Sequence, residues 1–423
     1  MHPPSLGQAF LYWLKLGCTS FGGPAGQIAL MHQALVHDKK WISEDRFLHA
    51  LNFCILLPGP EAQQLAIYMG WLLHKTIGGL IAGILFVLPA FFILCGLAYV
   101  YINYGELGLV RGFFAGVKPV IVALVLFAAF RMGIKTLNKH YLASISVLAF
   151  IGLFLTLPFP LILLIAGLAG LVINRQSKLN KTLPSSALQD STFLYPDWWQ
   201  SLKTLTIGVM VIVGGLILMT LTFGLDHLFV KTAWFYTKAA FLTFGGAYAV
   251  LPYVFQGAVD HYQWITSQQM LDALALGETT PGPLIMVITF ISFISGWSHI
   301  ALPTLTPLHS GLIVAMIATL FTFIPSFLMI FLGAPLIEHT RNLHYLTGPL
   351  SAISAAVVGM IVHLGITLAN HTLWHIESLT TDWMNMVIAI IAFIALQRYK
   401  VNTLFVILAS GLLGVARASN LLT

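Results

Sequence analysis

The sequence predicts an all-α polytopic membrane protein: about 13 transmembrane segments, in two homologous halves of inverted orientation with broken helices at the midplane. Three observations carry this: the composition, an internal repeat, and glycine–proline breaks inside apolar segments. Of the 423 residues, 58% are hydrophobic and 8% charged, and the mean hydropathy is +0.89. A soluble domain is roughly a quarter charged, so this chain cannot clothe a globular surface in polar side chains. That excludes a soluble enzyme, a nucleic-acid-binding domain and a disulfide scaffold. The net charge of +6 is read as the basic-loop excess of a membrane protein rather than a nucleic-acid footprint. Cys18, Cys54 and Cys95 lie in apolar stretches without CxxC spacing and are read as packing residues. The opening stretch Met1–Phe10 lacks a basic region, so the first apolar segment is expected to be retained.

The repeat is visible as strings. KLGCTSFGG at 15–23 returns as KAAFLTFGG at 238–246, Trp41-Ile42-Ser43 as Trp264-Ile265-Thr266, and Pro58-Gly59-Pro60 as Pro281-Gly282-Pro283, all at a shift of 223. Pro89-Ala90-Phe91 and Gly112 recur as Pro325-Ser326-Phe327 and Gly348 at a shift of 236. Matches in one order indicate duplication. The first repeat, 1–174, holds apolar segments at about 6–30, 47–73, 77–103, 112–134, 142–156 and 159–174. A polar cytoplasmic linker, 175–203, and an unpaired span, 204–225, precede the second repeat, 226–423. The latter has segments at about 229–257, 270–296, 310–335, 348–370, 384–397 and 402–418. One extra span between two halves of six forces them into opposite orientations, as in inverted-repeat transporters.

With the N-terminus placed in the cytoplasm, basic residues favour the inner loops, although Lys39, Lys40 and Arg46 then face outward against the rule. Segments 142–156 and 159–174 are short enough to form a hairpin that does not cross fully. Lys15, Lys118 and Lys238 fall inside apolar segments, where a charge is costly and marks a candidate site. Lys15 and Lys238 are repeat equivalents and candidate substrate ligands; snorkelling to an interface is the alternative. Lys118 has no assigned role.

Phe21-Gly22-Gly23-Pro24 breaks its helix, because glycines loosen the backbone and proline suits a first helical turn. Phe244-Gly245-Gly246 repeats the device, with Ala247 in place of the proline. Pro58-Gly59-Pro60 and Pro281-Gly282-Pro283 add two more breaks. A broken end presents free N–H groups and about half a positive charge, which is an anion site made of backbone. Irregular backbone at membrane depth belongs where it is buried in protein or lines a cavity. The breaks are therefore candidate substrate-binding elements, with Gln63 and Thr280 as side-chain donors. Glu278, just before the fourth break, and Glu61, just after the second, are candidate proton-coupling carboxylates, since a carboxyl group in apolar surroundings can hold a proton near neutral pH. Glu61 could equally complement a helix dipole, and Asp272 is expected to be wet. His371 and His375, at i, i+4, lack a third ligand, so no metal or other cofactor is expected. Ser292, Ser295 and His363 form no nucleophile motif, so no catalytic residue is expected.

FGGPAGQIALM at 21–31, LLPGPEAQQLAIYMGWLLH at 56–74, LFVLPAF at 85–91, FGGAYAVLPYV at 244–254 and LGETTPGPLIMV at 276–287 resemble the chromate ion transporter family in its fused, two-domain form. The resemblance implies a bacterial inner-membrane carrier that expels chromate, driven by the proton motive force or by anion exchange, with sulfate as competitor. It leaves a carrier of sulfate or another tetrahedral oxyanion as the alternative. The expected partners are the small anion and the lipid bilayer, with no nucleic acid and with self-association left open. Leu284 stands where the first half has Glu61, so the two halves are not expected to play identical roles.

Overall fold

The computed structural model describes residues 4–21, 23–179, 198–337, 347–375 and 380–419. Among the described residues the regular structure is helical apart from a two-residue antiparallel ladder, Trp374–His375 with Thr380–Thr381. The first half comprises α1 (Leu6–Thr19), α2 (Gly23–His32), α3 (Glu44–Leu56), α4 (Glu61–Tyr104), α5 (Gly108–Thr136), α6 (His140–Phe154) and α7 (Phe159–Leu179). The unpaired span is α8 (Trp198–Val209) and α9 (Gly215–Phe223), joined by a π-turn. The second half comprises α10 (Leu228–Leu242), α11 (Ala247–Phe255), α12 (Ser267–Thr279), α13 (Val287–Ser298), α14 (Pro307–Ile337), α15 (Thr347–Thr372), α16 (Trp383–Gln397) and α17 (Thr403–Ala418).

The repeat survives in backbone detail. π-Turns follow α2 at Gln33–Asp38 and α11 at Gln256–His261, positions 223 apart. Left-handed residues also recur in pairs: Gly23 with Gly246, Lys40 with Gln263, and Gly59 with Gly282.

Four of the segments expected to cross instead turn back at their breaks. α1 has 14 residues, about 21 Å of rise against a ~30 Å hydrocarbon core. Beyond its break, α2 returns, so that Trp41 lies edge-on to Tyr12 at 5.7 Å and Lys39 Nζ stands 5.9 Å from the same ring. The α10–α11 pair closes identically: Phe235 stacks on Tyr253 at 4.9 Å and meets Trp264 at 5.5 Å. α3 and the first limb of α4 (61–73) form a second hairpin, with Phe53 and Tyr68 6.0 Å apart. α12 and α13 form the fourth, and Thr266 and Ser298, at its two open ends, line one cavity. α4 itself bends sharply at His74 and Lys75, where Gly70 and Gly78 let its limbs touch backbone to backbone.

The two pairs of hairpins open at opposite ends of the second limb of α4 (76–104). His74 Nε2, at the start of that limb, is 2.9 Å from the carbonyl oxygen of Pro4. Tyr99 and Tyr101, at its far end, meet Trp297 and Asp272. Lys39, Lys40 and Arg46, expected on the opposite side from Lys75, Lys135, Lys139, Arg398 and Lys400, therefore share their end. A helix that turns back at a break carries the same hydropathy as one that continues. Among the described residues only Arg111, Lys231 and Arg417 are basic at the other end.

α6 runs parallel and α7 antiparallel to α15, and α6 lies so close that a Cβ on Gly359 would meet the Ser146 carbonyl. α8–α9 is hardly buried: 6% of its apolar window is covered. The first-half hairpins share a core with Ile330 and Ala334 of α14, and the second-half hairpins pack with α4, α5 and α15.

Candidate functional site

The four hairpin tips meet. Gly59 N donates to the Thr243 carbonyl at 2.7 Å, and Gly282 N donates to the Ser20 carbonyl at 3.0 Å. These are repeat-equivalent bonds, each running from the second tip of one half to the first tip of the other. The depth matches too. A Cβ on Gly282 would lie 2.7 Å from Ala90, at the middle of the 76–104 limb, and one on Gly59 would lie 2.8 Å from Ser326 Oγ on α14. Ala90 and Ser326 are themselves repeat equivalents. The positive φ of Gly59 (127°) and of Gly282 (100°) is why each tip carries glycine between two prolines.

α2, α4, α11 and the 3-10 turn Leu284–Met286 before α13 all begin at tips. Five helices that begin at loops are capped by Ser5, Thr266, His227, Asp382 and Asn402 side chains, whereas α3, α5 and α6 begin without a side-chain cap. At the tips the N-cap residues are Pro60, Gly246 and Pro283, and no side chain caps them. Their first-turn N–H groups are left for a ligand. The carbonyl ends are better served: Thr19, Thr243 and Thr279 hydroxyls bond back to Lys15, Ala239 and Ala275. The junction thus has unmatched donors, which suits an anion.

Buried side chains add more. Gln27 Nε2 bridges the carbonyls of Ser20 (3.3 Å) and Gly282 (2.5 Å), and Gln64 Nε2 binds that of Pro58 (2.6 Å). Gln63 is fully buried with both amide atoms unpartnered, as are the hydroxyls of Ser20 and Ser326. Buried polar groups are usually hydrogen-bonded, and three of those left without a partner lie beside the tips. Gln27, Ser20 and Ser326 were not singled out from sequence. Gln27 sits in the FGGPAGQ string, whereas Ser20 and Ser326 become informative only once the tips are together.

The expected carboxylates flank one tip. Glu61 Oε1 stands 3.9 Å from the Cβ position of Gly246, and Glu278 accepts a short hydrogen bond from Tyr248, two residues further on. Arg131 lies within electrostatic reach of Glu278, and Lys135 of Glu61. Met132 and Ser354 line Gly245 beside them. Glu278 and Glu61 are both half-buried.

Phe21, Gly23, Pro24, Pro58, Gly59, Pro60, Phe244, Gly245, Gly246, Thr280, Pro281, Gly282 and Pro283 all sit at the tips, and Gly22 lies outside the described residues. Lys15 is exposed in a stripe with Leu11 and Cys18; Lys238 occupies the equivalent stripe with Trp234 and Phe241, its Nζ 5.4 Å from the Trp234 ring. Among the described residues no hydrogen bond or ion pair ties either ammonium to a tip. Asp272, expected to be wet, is buried: Lys118 Nζ is 3.5 Å from its Oδ1 and Tyr101 donates to its Oδ2 at 2.8 Å. The i, i+4 helical pair of His371 and His375 is not realised, because α15 ends at Thr372 and His375 lies on a strand. Of the described residues, His32, His37 and Glu44 could hold a metal ion, with ligand atoms within 4.8 Å of one another. They sit at the open end of a hairpin, away from the tips.

Residues 7–171 and 230–415 match the family model described as Chromate transporter, once per half. The chain belongs to the chromate transporter family. It is 32% identical to the chromate transport protein of Pseudomonas aeruginosa over 416 residues, 97% of this chain and 92% of that one. It is 27% identical to the chromate transport protein of Cupriavidus metallidurans over 87% of this chain and 84% of that one. A shorter relative, the uncharacterized transporter YwrB of Bacillus subtilis, is 32% identical over 33% of this chain and 73% of its own length. No solved structure matches. With its apolar helices, membership of the chromate transporter family makes this a multi-pass membrane transporter rather than an enzyme.

Proposed function

We propose that the chain exports chromate through a site at the junction of the four tips. The observation that carries this is the reciprocal pair of bonds from Gly59 and Gly282, which gathers uncapped helix starts from both halves at one depth. A tetrahedral dianion held there would take hydrogen bonds from first-turn N–H groups, the Gln63 amide and the Thr280 hydroxyl. Phe21, Phe244 and the tip prolines would shape the cavity, and Lys15 and Lys238 would add positive charge from the flanks. Rocking of one half against the other would expose the site to each side in turn.

In this reading α4 (second limb), α5, α8–α9, α14 and α15 cross the membrane, the shorter pairs α6–α7 and α16–α17 lie beside them, and the four hairpins re-enter it, in opposite senses in the two halves. The N-terminus and the basic end face the cytoplasm. A cysteine at Lys40 and one at Lys400 should then both react with an impermeant maleimide only in inverted vesicles. Reaction of Lys40→Cys in right-side-out vesicles contradicts the orientation.

Chromate flux into proteoliposomes, with and without an imposed pH gradient, tests the function. Chromate movement that follows the gradient and is competed by sulfate is the expected result. Movement only against sulfate loaded on the opposite side would mean obligate exchange, and sulfate flux without chromate flux would favour the sulfate-carrier alternative.

A further inference from the structure

The Lys118–Asp272–Tyr101 cluster has no part in the tip site, yet it is the most deeply placed charge pair among the described residues. It forms the floor of a cavity of about 560 Å³ that also takes in Arg111, Gln268 and Gln269. A second cavity, of about 610 Å³, shares Arg111, Lys118 and Gln268 with the first and adds His371, Asp382 and Arg417. Both lie at the end of the molecule opposite the basic loops. Asp272 is eight residues before Thr280 on α12, about 12 Å of helix from the tip. An anion passing between the tips and this end therefore meets Lys118.

The pair is loosely made. Its 3.5 Å separation is long, Asp272 Oδ1 has no hydrogen bond, and Lys118 has no other ion-pair partner among the described residues. A buried ion pair recovers its desolvation cost only with close, fully hydrogen-bonded geometry, so this one is open to competition. A tetrahedral oxyanion offers Lys118 several acceptors where Asp272 offers one distant oxygen. With Asp272 charged, the incoming anion meets a neutral pair; with Asp272 protonated, Lys118 is an unopposed cation.

We propose that Lys118 is a second oxyanion site, at the outer vestibule, and that Asp272 is its internal counter-ion, displaced from the ammonium when it takes up a proton. The proposal rests on the transport reading above. The other ionisable groups lining the cavity with Asp272 are Tyr101 and Glu106 from α4 and its following turn and Arg111 from α5, and the second cavity, which reaches Lys118 but not Asp272, adds His371 from α15, Asp382 before α16 and Arg417 from α17. Arg111 and Arg417 are held by Glu106 (4.0 Å) and Asp382 (3.6 Å). α13 and the turn before it carry no ionisable side chain, and on α12 itself Glu278 points to the other face of the tips. Asp272 is thus the buried acid at this ammonium.

Equilibrium dialysis of radiolabelled chromate against the detergent-purified full chain tests this. The measurement is made in a Glu278→Gln background across a pH series in which the free concentration of the chromate dianion is held constant. Two bound equivalents are expected, one of them weakening as the pH rises. Lys118→Gln should leave one equivalent, and Lys118→Arg should keep two. Asp272→Asn, which keeps the lysine, should keep two and remove the pH dependence of the outer one. Two equivalents in Lys118→Gln, or an unchanged pH dependence in Asp272→Asn, overturns the proposal. Absence of any bound chromate in the parent chain would count against the transport reading itself.

Discussion

Replacing Gly59 or Gly282 by alanine should abolish chromate transport while leaving insertion in the membrane intact. Both residues hold φ above +90° (127° and 100°), where an L side chain is strained by about 1–3 kcal/mol. The added methyl also lands on neighbours: Gln64 Nε2 and Ser326 Oγ (2.8 Å) for Gly59, and Ala90 at 2.7 Å for Gly282. Either tip must shift, and each carries the N–H that binds the opposite half. A single substitution therefore disturbs two tips. Loss of even one such contact, at about 1.4 kcal/mol, is a tenfold loss in rate, and here several are coupled. Gly96→Ala is the control, since a Cβ there meets nothing within 4 Å. Wild-type flux from Gly282→Ala would show that the tips do not need this geometry.

Glu278→Gln should uncouple chromate movement from the pH gradient. The glutamine keeps the shape and the contact with the Tyr248 hydroxyl but cannot exchange a proton. Chromate would still run down its own gradient, whereas the acceleration by an imposed pH gradient would disappear. The sign follows from charge: an ionised Glu278 beside the tips repels a dianion and its protonation removes that repulsion, so proton and anion bind together, an imposed pH gradient should carry chromate toward the alkaline side, and export against an inward proton gradient would draw on anion exchange. At an effective dielectric of about 20, two unit charges 8 Å apart interact by about 2 kcal/mol, enough to change affinity more than tenfold. Tyr248→Phe should weaken the coupling without removing it, because the carboxyl remains. Unchanged gradient-driven transport in Glu278→Gln would return Glu278 to a structural role and place the proton coupling at another group.

Much of this arrangement is legible in the residues. The repeat strings located the tips to the residue, since glycine between prolines and double glycine are the few patterns that break an apolar helix and survive duplication. Glu61 and Glu278 stood out because carboxylates are rare in such segments. The four hairpins are not legible in hydropathy for a physical reason. A helix of about 14 residues, a break and a return have the same hydropathy as one long span, and the turn at His74 is seamless in sequence. The misplacement of Lys39, Lys40 and Arg46 was their visible sign. The burial of Asp272 was hidden differently. Its partners Tyr101 and Lys118 lie in α4 and α5, more than 150 residues away in the chain, and only the packing of α12 against both brings them together.

The account stands on an oxyanion occupying the junction of the tips, and protection of a cysteine there tests it most directly. With Cys18, Cys54 and Cys95 replaced by alanine, Ser354→Cys puts a thiol beside Gly245, and Ser144→Cys puts one on an exposed helical surface as a control. Chromate, at concentrations that saturate transport, should slow maleimide labelling of the first and leave the second unchanged. Equal labelling rates at Ser354→Cys with and without chromate, in a protein that still transports it, would contradict a site at the tips.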